Sequence, residues 1–405
     1  MIAILGEFDA LSSLSQEAGN PVKTPVIEGG SGHGCGHNML GAASFGAALG
    51  VKKYLEETGA AGTVIFYGCP GEEGGASKAL MAREKIWKGM DAAISWHPGD
   101  CNEVTTGTTM SCIQSLYKFK GTASHAAGSP EAGRSALDAA ELMNIGVQFL
   151  REHMADDCRI HYSIIDGGGI SPNVVQPTAS LLYMVRAVKI GDAVALQKRV
   201  DKIAKAAADM TETTMEKIFV DGLSNTVMNS VLEKVMYKNM EEIEVPKYTA
   251  EELAYAAELR KTYEVYELPG KSAPEDDDMA KIIDCLSEGG SKPLNDFLMP
   301  YFSKNIKRAG STDVGDVSWQ TPTVQLTAVT SASGSPGHSW QNVSCGGSTI
   351  GDKGAMYAAK VMCATAIDLF NDKKIIKEAR KEFKERTKEG YTCPVPKGAE
   401  LYVIE

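Results

Sequence analysis

Apolar residues recur along this chain in two rhythms. Residues 1–9 open on Met1-Ile2-Ala3-Ile4-Leu5 and end at the acids Glu7 and Asp9, and Thr63–Tyr67 and Ala92–Trp96 are short continuous apolar runs. Runs of that length between turn signals read as buried strands. Between them apolar positions fall at helical spacing, over Asn38–Glu57, with Asn38 as the expected N-cap, and over Ala76–Trp87. Strands alternating with helices predict an α/β fold, a sheet with parallel strands flanked by helices.

The rhythm changes near residue 113. Gln114–Lys120 alternates apolar and polar as a half-exposed strand does, Arg134–Arg151 and Asp192–Thr213 have helical spacing, and Arg159–Ile165, Ala179–Val188 and Glu216–Val220 read as strands. The order β-α-β-β-α-β is that of a ferredoxin-like split unit. Residues 113–224 are therefore expected to form an α+β domain inserted into a first domain made of 1–112 and 225–405. Residues 225–300 read as mostly helical and acidic, and the charge run Glu275–Asp278 as solvated surface or a helix start. Loops at 310–316 and 334–342 follow, then a helix over Gly354–Phe370 expected to pack back on the first sheet. The Lys/Glu-rich tail from Asp372 reads as superficial. No internal repeat is visible.

Composition narrows the function. The chain has 405 residues, enough for two or three domains at roughly 100–200 residues each. A net charge of −11 argues against nucleic acid or an anionic membrane as partner. The N-terminal apolar run is too short for a signal peptide, and no stretch reaches the roughly 18–20 apolar residues of a membrane helix. Nine scattered cysteines, an odd number, suit free thiols in a reducing cytosol, so a cytoplasmic protein is expected.

Four local signals carry chemistry. In His33-Gly34-Cys35-Gly36-His37, thiolate and imidazole are ligand types for borderline-soft divalent metals, and the glycines let the backbone bend so that Cys35 and His37 face one site. In Gly71-Glu72-Glu73-Gly74-Gly75, just past the strand at 63–67, adjacent acids in an extended segment would point to opposite sides, one toward metal and one toward substrate. His97 follows the strand ending at Trp96, at the sheet rim where α/β proteins place their sites. His338 lies in a Gly/Ser/Pro-rich loop. Taken singly, each admits a structural reading: a glycine turn, a surface pair of acids, a packed histidine, a solvated loop histidine. Together, three of them fall at successive strand ends and supply thiolate, imidazole and carboxylate in proportions that suit two metals.

The constellation resembles the M20 metallopeptidases, and among them the amidohydrolase branch of the p-aminobenzoyl-glutamate hydrolase group. The resemblance runs over nearly the whole chain. It lies in Gly6-Glu7-Phe8-Asp9-Ala10-Leu11, His33–Asn38, Glu72–Gly75, Trp96-His97-Pro98, Ser124-His125-Ala126-Ala127, the long run Gly310–Trp319 and Pro336–Trp340. It implies a zinc-peptidase-like catalytic domain with a mixed sheet, and an inserted lid and dimerisation domain. Cys35, His37, Glu73, His97 and His338 match metal ligands for two divalent ions, zinc or manganese, and Glu72 matches the catalytic acid/base. Asp9 matches a residue that orients a ligand. Glu7 stands where many relatives carry a ligating histidine. His125 matches a histidine that reaches the partner's site in dimeric relatives, its plain alternative being a strand-end surface histidine. Asn173 matches a substrate-binding asparagine. Relatives begin some 60–80 residues earlier, which predicts a shortened sheet here with an open edge that invites association.

What the resemblance implies is a metal-dependent amidohydrolase acting on N-acyl amino acids, with p-aminobenzoyl-glutamate as the first expected substrate. It would work as a homodimer or with a related subunit. Within the class, a dipeptidase of the same family is the alternative. Outside it stands a catalytically impaired shortened subunit that holds metal and serves in assembly.

Overall fold

The computed structural model describes residues 1–265, 277–303, 306–308, 310–400 and 402. The first segment runs β1 (Ile2–Glu7), α1 (His37–Thr58), β2 (Val64–Cys69), a short turn of helix α2 (Glu72–Gly75), α3 (Ser77–Arg83), β3 (Ala92–Gly99) and β4 (Glu103–Thr105). The second runs β5 (Ser111–Lys120), α4 (Ala136–Arg151), β6 (Arg159–Asp166), β7 (Thr178–Ala187), α5 (Ile190–Met210) and β8 (Thr214–Leu223). The third holds α6 (Ser230–Glu242), α7 (Ala250–Arg260), α8 (Asp277–Leu286), α9 (Val314–Ser318), β9 (Thr323–Val329), α10 (Trp340–Gly346), α11 (Thr349–Asn371) and α12 (Lys373–Arg386).

Two sheets result. The first has the order β2-β1-β3-β9-β4, parallel throughout except for β4 at one edge. Its strands β1 and β3 are largely apolar on both faces because both are covered. On β1, Ile2 and Ile4 pack into the cluster with Leu40, Val51 and Val361, from α1 and α11. Ala3 and Leu5, one residue out of phase, pack with Trp87, Val314 and Val317 on the other side. The second sheet has the order β6-β7-β5-β8, wholly antiparallel, with α4 and α5 against one face around Tyr117, Leu181, Met143 and Val200. This is the ferredoxin-like arrangement expected from the element order. Among the described residues, no helix is long and apolar enough to cross a membrane.

The structure departs from the sequence reading in several places. The apolar pattern does not reveal β9, because Thr323, Gln325 and Thr327 interrupt its run; the strand lies between β3 and β4 and pairs with β3 from Ala93↔Thr323 to Gly99↔Val329. Helix α1 starts at His37, not beyond Asn38. Its cap is Gly36 at φ 79°, where a side chain would also collide with Pro98 at 2.8 Å. Helix α3 stops at Arg83, and Lys85 at φ 63° turns the chain so that Trp87 is buried. Glu72 and Glu73 sit in a helical turn rather than an extended segment. The tail from Asp372 is exposed along most of its length, yet it forms α12 and docks on α6, where Asn229 donates to the Ala379 carbonyl at 2.9 Å and Glu382 accepts from Ser230. Of the acidic run, residues 275–276 lie outside the described residues, and the helix begins at Asp277.

The acid Glu233 on α6 is 1 % exposed and accepts hydroxyl bonds from Thr106 and Tyr301, both at 3.0 Å. Burial pushes its carboxyl up to about 7. The folded state therefore keeps a proton that the unfolded chain sheds near pH 4.5, so stability is greatest at acid pH and is lost as pH rises from about 4.5 to 7. A shift of that size corresponds to about 3 kcal/mol. Urea titrations at pH 5 and pH 8 should show this loss in the wild type, and Glu233→Gln should reduce it by roughly 2–3 kcal/mol and be the more stable protein at pH 8.

Candidate metal centre and active site

The parallel sheet ends its strands β1, β2 and β3 on one side, and the chain leaves that rim through short polar segments, as α/β sites require. Asp9 follows β1, Glu72 and Glu73 follow β2, and His97 lies in the last turn of β3. The loop before α1 brings Cys35 and His37 to the same rim. Gly34 lets a second loop approach, since a Cβ there would lie 2.5 Å from Leu14 and 3.3 Å from the His338 backbone. Asn342 binds the Gly34 carbonyl at 3.2 Å and ties the two loops together. His338 itself adopts φ 52°, an uncommon conformation for a side-chain-bearing residue and one that concentrates at functional sites.

Five side chains predicted as ligands meet there. Cys35 Sγ lies 3.4 Å from His97 Nε2, and His338 Nε2 lies 3.4 Å from Glu73 Oε1. The ligand atoms of Cys35, His37 and His97 fall within 4.8 Å of one another, and so do those of Cys35, Glu73 and His338. Cys35 is common to both groups. A third group joins Glu7, His37 and Glu72. Asp9 stands behind them: its Oδ1 is 3.1 Å from His37 Nδ1 and its Oδ2 accepts the Glu73 amide at 2.9 Å. One carboxylate thus orients a histidine and an acid together. Behind His97, Nδ1 lies 2.7 Å from the Pro98 carbonyl, which leaves Nε2 facing the centre.

The electrostatics of the cluster ask for cations. Burial, then the Glu73 and Glu72 carboxylates, push the Cys35 thiol far up. Burial, then the charges of Asp313 and Glu7, push Glu72 well above the carboxylate range. Asp9 goes the other way: burial opposes ionisation, but His37 and the Glu73 amide hold it down to about 2. Among the described residues, two buried ligand atoms, His37 Nε2 and Glu73 Oε1, make no hydrogen bond and have only charged neighbours, Glu7 at 3.2 Å and His338 at 3.4 Å. Such atoms are costly unless something binds them. Thiol, imidazole and carboxylate donors in two triples that share one sulfur fit a pair of divalent ions.

The sequence reading missed what holds Glu7. Lys78 on α3 is fully buried, with Nζ 2.7 Å from Glu7 Oε1 and 2.5 Å from Asp313 Oδ1. The Lys78 amide also donates to Asp313 Oδ2 at 3.0 Å. Glu7 Oε2 then lies 3.2 Å from His37 Nε2. Burial raises Glu7, but Lys78 and then His37 outweigh it and the carboxyl is lowered. A lysine in an Ala-rich helix reads as solvated, so only the acids offered a signal.

A cavity of about 950 Å³ opens over the centre, bounded by Cys35, Glu72, Glu73, His97 and His338 on one side and by the face of the second sheet on the other. Arg186 of β7 lines it and donates to Ser311 at 2.6 Å. His125 and Asn173 do not line it. They lie on exposed loops of the second sheet, next to each other, with the Ala126 amide bonded to the Asn173 carbonyl at 3.0 Å. The His125 Nδ1 accepts from the Ala127 and Gly128 amides, which leaves Nε2 pointing outward from its own turn.

Known proteins resemble this chain at three levels. The peptidase dimerisation domain of the M20 type matches residues 113–212. One of the subunits of the p-aminobenzoyl-glutamate hydrolase of Escherichia coli (strain K12) is 44% identical over 98% of this chain and 83% of its own length. The Xaa-Arg dipeptidase of Mus musculus is 27% identical over 95% of the chain and 73% of its own. Among solved structures, the aminobenzoyl-glutamate utilization protein from Klebsiella pneumoniae superposes with a TM-score of 0.54 at 16% identity, over 91% of this chain and 70% of that one. A dinuclear metal binding peptidase from the M20 family of Bacillus subtilis gives 0.53 at 15%, over 91% and 81%.

Removing one partner of a buried ion group leaves uncompensated charge and costs about 3–5 kcal/mol. Lys78→Met keeps the volume and strands both Glu7 and Asp313. It should lose stability of that order in urea unfolding at pH 7, and an unchanged midpoint would mean that the triad carries no such load.

Proposed function

This chain belongs to the M20 peptidase family, and from that premise we propose that it is a metal-dependent amidohydrolase that cleaves N-acyl amino acids, p-aminobenzoyl-glutamate first among them. One observation supports the reading above the others: five ligand-type side chains, scattered from position 35 to 338, converge in two triples with Cys35 in common. The relative that is 44% identical is named for hydrolysis of p-aminobenzoyl-glutamate, which supports the substrate. The nine free cysteines support a reducing, cytoplasmic setting.

Cys35, His37, Glu73, His97 and His338 would hold the two ions, and a thiolate in the set favours zinc over manganese. The chemistry that such a pair supplies when bound is a water that is nucleophilic near neutral pH and a polarised amide carbonyl. The residues of this chain do the rest. Asp9 keeps His37 and the Glu73 backbone in place. Glu72 removes the proton from the attacking water as the C–O bond forms. It returns that proton to the amine nitrogen as the C–N bond breaks, so that a carboxylate and an amine leave. Arg186, with no ion pair among the described residues, is placed to take the α-carboxylate of the substrate. Glu72→Gln should keep its metal content by elemental analysis and lose about 10²- to 10⁴-fold in kcat. A protein that binds metal but hydrolyses no N-acyl amino acid or dipeptide would instead be an assembly partner.

His125 and Asn173 complete the site only if a second copy, or a related subunit, presents them. Edge strand β6 carries Ile164 at 59 % exposure, and α4 carries Phe149 at 72 %. An open apolar edge of this kind invites pairing, and the matched dimerisation domain covers it. The double variant Phe149→Glu, Ile164→Lys should run as a monomer in light scattering and lose turnover in parallel. A monomer with full activity would remove His125 from the mechanism.

A further inference from the structure

The cavity has a second wall. Strand side chains alternate between faces. On the second sheet one set faces α4 and α5, and the other faces the metal centre. The centre-facing set forms two cross-strand rows. One row places Arg159 of β6 opposite Arg186 of β7, and Arg186 opposite Cys112 of β5. The next places His161 opposite Met184, and Met184 opposite Gln114. All six line the same cavity as Cys35, Glu73 and His97.

Like charges directly opposite each other in a sheet are destabilising. Here two arginines are so placed, with His161 two residues along β6 from Arg159 and diagonal to Arg186, and Arg151 reaches the Ile160 carbonyl next to them at 2.7 Å. Neighbouring acids do not neutralise the group. Asp157 is engaged by Lys307 at 3.2 Å, and Glu103 by Arg308 at 3.2 Å. Among the described residues neither Arg159 nor Arg186 forms an ion pair. The Arg159 guanidinium is instead steadied through Nη1 by the carbonyls of Asp156 and Cys158. Asp221, across the sheet, feels Arg186, but burial pushes its carboxyl up to about 6. His161 senses the same excess: burial first, then Arg186, Arg151 and Arg159, lower its pKa.

We propose that Arg159 and His161 are the residues that seat the side-chain carboxylate of the substrate's amine-side glutamate, and so set the discrimination between dicarboxylic and uncharged amino acids. The inference rests on the amidohydrolase reading and adds the residues that select the leaving group. Arg186 takes the carboxylate that every N-acyl amino acid has; Arg159 and His161 take the one that only the dicarboxylic acids have. A charge-assisted hydrogen bond of about 1.5–3 kcal/mol sets the discrimination at roughly 10- to 100-fold.

The test compares kcat/KM for the 4-aminobenzoyl amides of L-glutamate, L-glutamine and L-leucine. The wild type should prefer glutamate over the isosteric glutamine by about 10- to 100-fold. Arg159→Met with His161→Gln should raise KM for the glutamate substrate by that factor, hold its kcat within about twofold, and leave the leucine substrate unaltered. Arg159→Glu should gain turnover of the 4-aminobenzoyl amide of L-lysine, a gain that misfolding cannot produce. Equal rates on glutamate and glutamine in the wild type would overturn the seat while leaving the amidohydrolase intact, as would a double variant that keeps the preference. A wild type inert toward all four amides would sink the amidohydrolase reading, and the seat with it.

Discussion

One buried ammonium group holds this site together. Lys78 has no exposure to water, and its charge is matched by Glu7 and Asp313, which are buried as well. The three residues come from β1, α3 and the loop before α9, so the clamp spans 306 residues of sequence between Glu7 and Asp313. Its geometry is over-determined, because Asp313 accepts both the side chain and the backbone amide of Lys78. Desolvating such a group is tolerable only when every charge has a partner. The consequence at the surface of the clamp is that the outer oxygen of Glu7 is fixed beside His37, and the turn that carries Glu72 and Glu73 is anchored just ahead of α3.

The same constraint explains why so anionic a cluster can exist in a folded chain. Glu7, Glu72, Glu73, Asp9 and Cys35 crowd one rim, and burial, then the neighbouring carboxylates, drive Glu72 and Cys35 away from ionisation. Lys78 offsets part of that excess from below. The remainder is left for whatever binds from above, where His37 Nε2 and Glu73 Oε1 make no hydrogen bond among the described residues. A cluster built this way loses stability that ions would restore by binding the folded state alone. The fold thus spends local order on a site that is finished by its ligand, and the rigid parallel strands beneath it keep the donor positions close.

How much of this is legible from residues alone follows from which signals are local. β1, β2 and β3 are visible because buried parallel strands are continuous apolar runs, and the inserted unit is visible because its element order is distinctive. β9 is not, since Thr323, Gln325 and Thr327 break the run while the strand is held by neighbours on both sides. Cys35, His37, Glu73 and His97 announce themselves by residue type at strand ends. His338 does so only in company, and His125 and Asn173 only through resemblance. Lys78 and Asp313 are silent for a physical reason: a buried ion pair between positions 235 residues apart leaves no periodicity and no spacing to read. For Glu72 and Glu73 the expectation of different faces rests on the wrong geometry. They diverge because a helical turn separates them by about 100°, not because a strand alternates.

The two sheets divide the labour along a physical line. The parallel sheet gathers ligands at its strand ends, where successive loops converge on a point and a few glycines suffice to bend them. The antiparallel sheet offers a face, where alternate residues of four strands spread functional groups across an area. A point is suited to chemistry common to all substrates of the class, and a face is suited to discrimination among them, because single side chains on it can change without moving a strand. The charges follow that division: acids and thiol converge at the point, arginines are arrayed on the face, and the cavity between holds opposite signs on its two walls. A ligand spanning it would be oriented by that field before any single hydrogen bond forms, with its anionic groups drawn to the face and its amide carried to the donors at the rim.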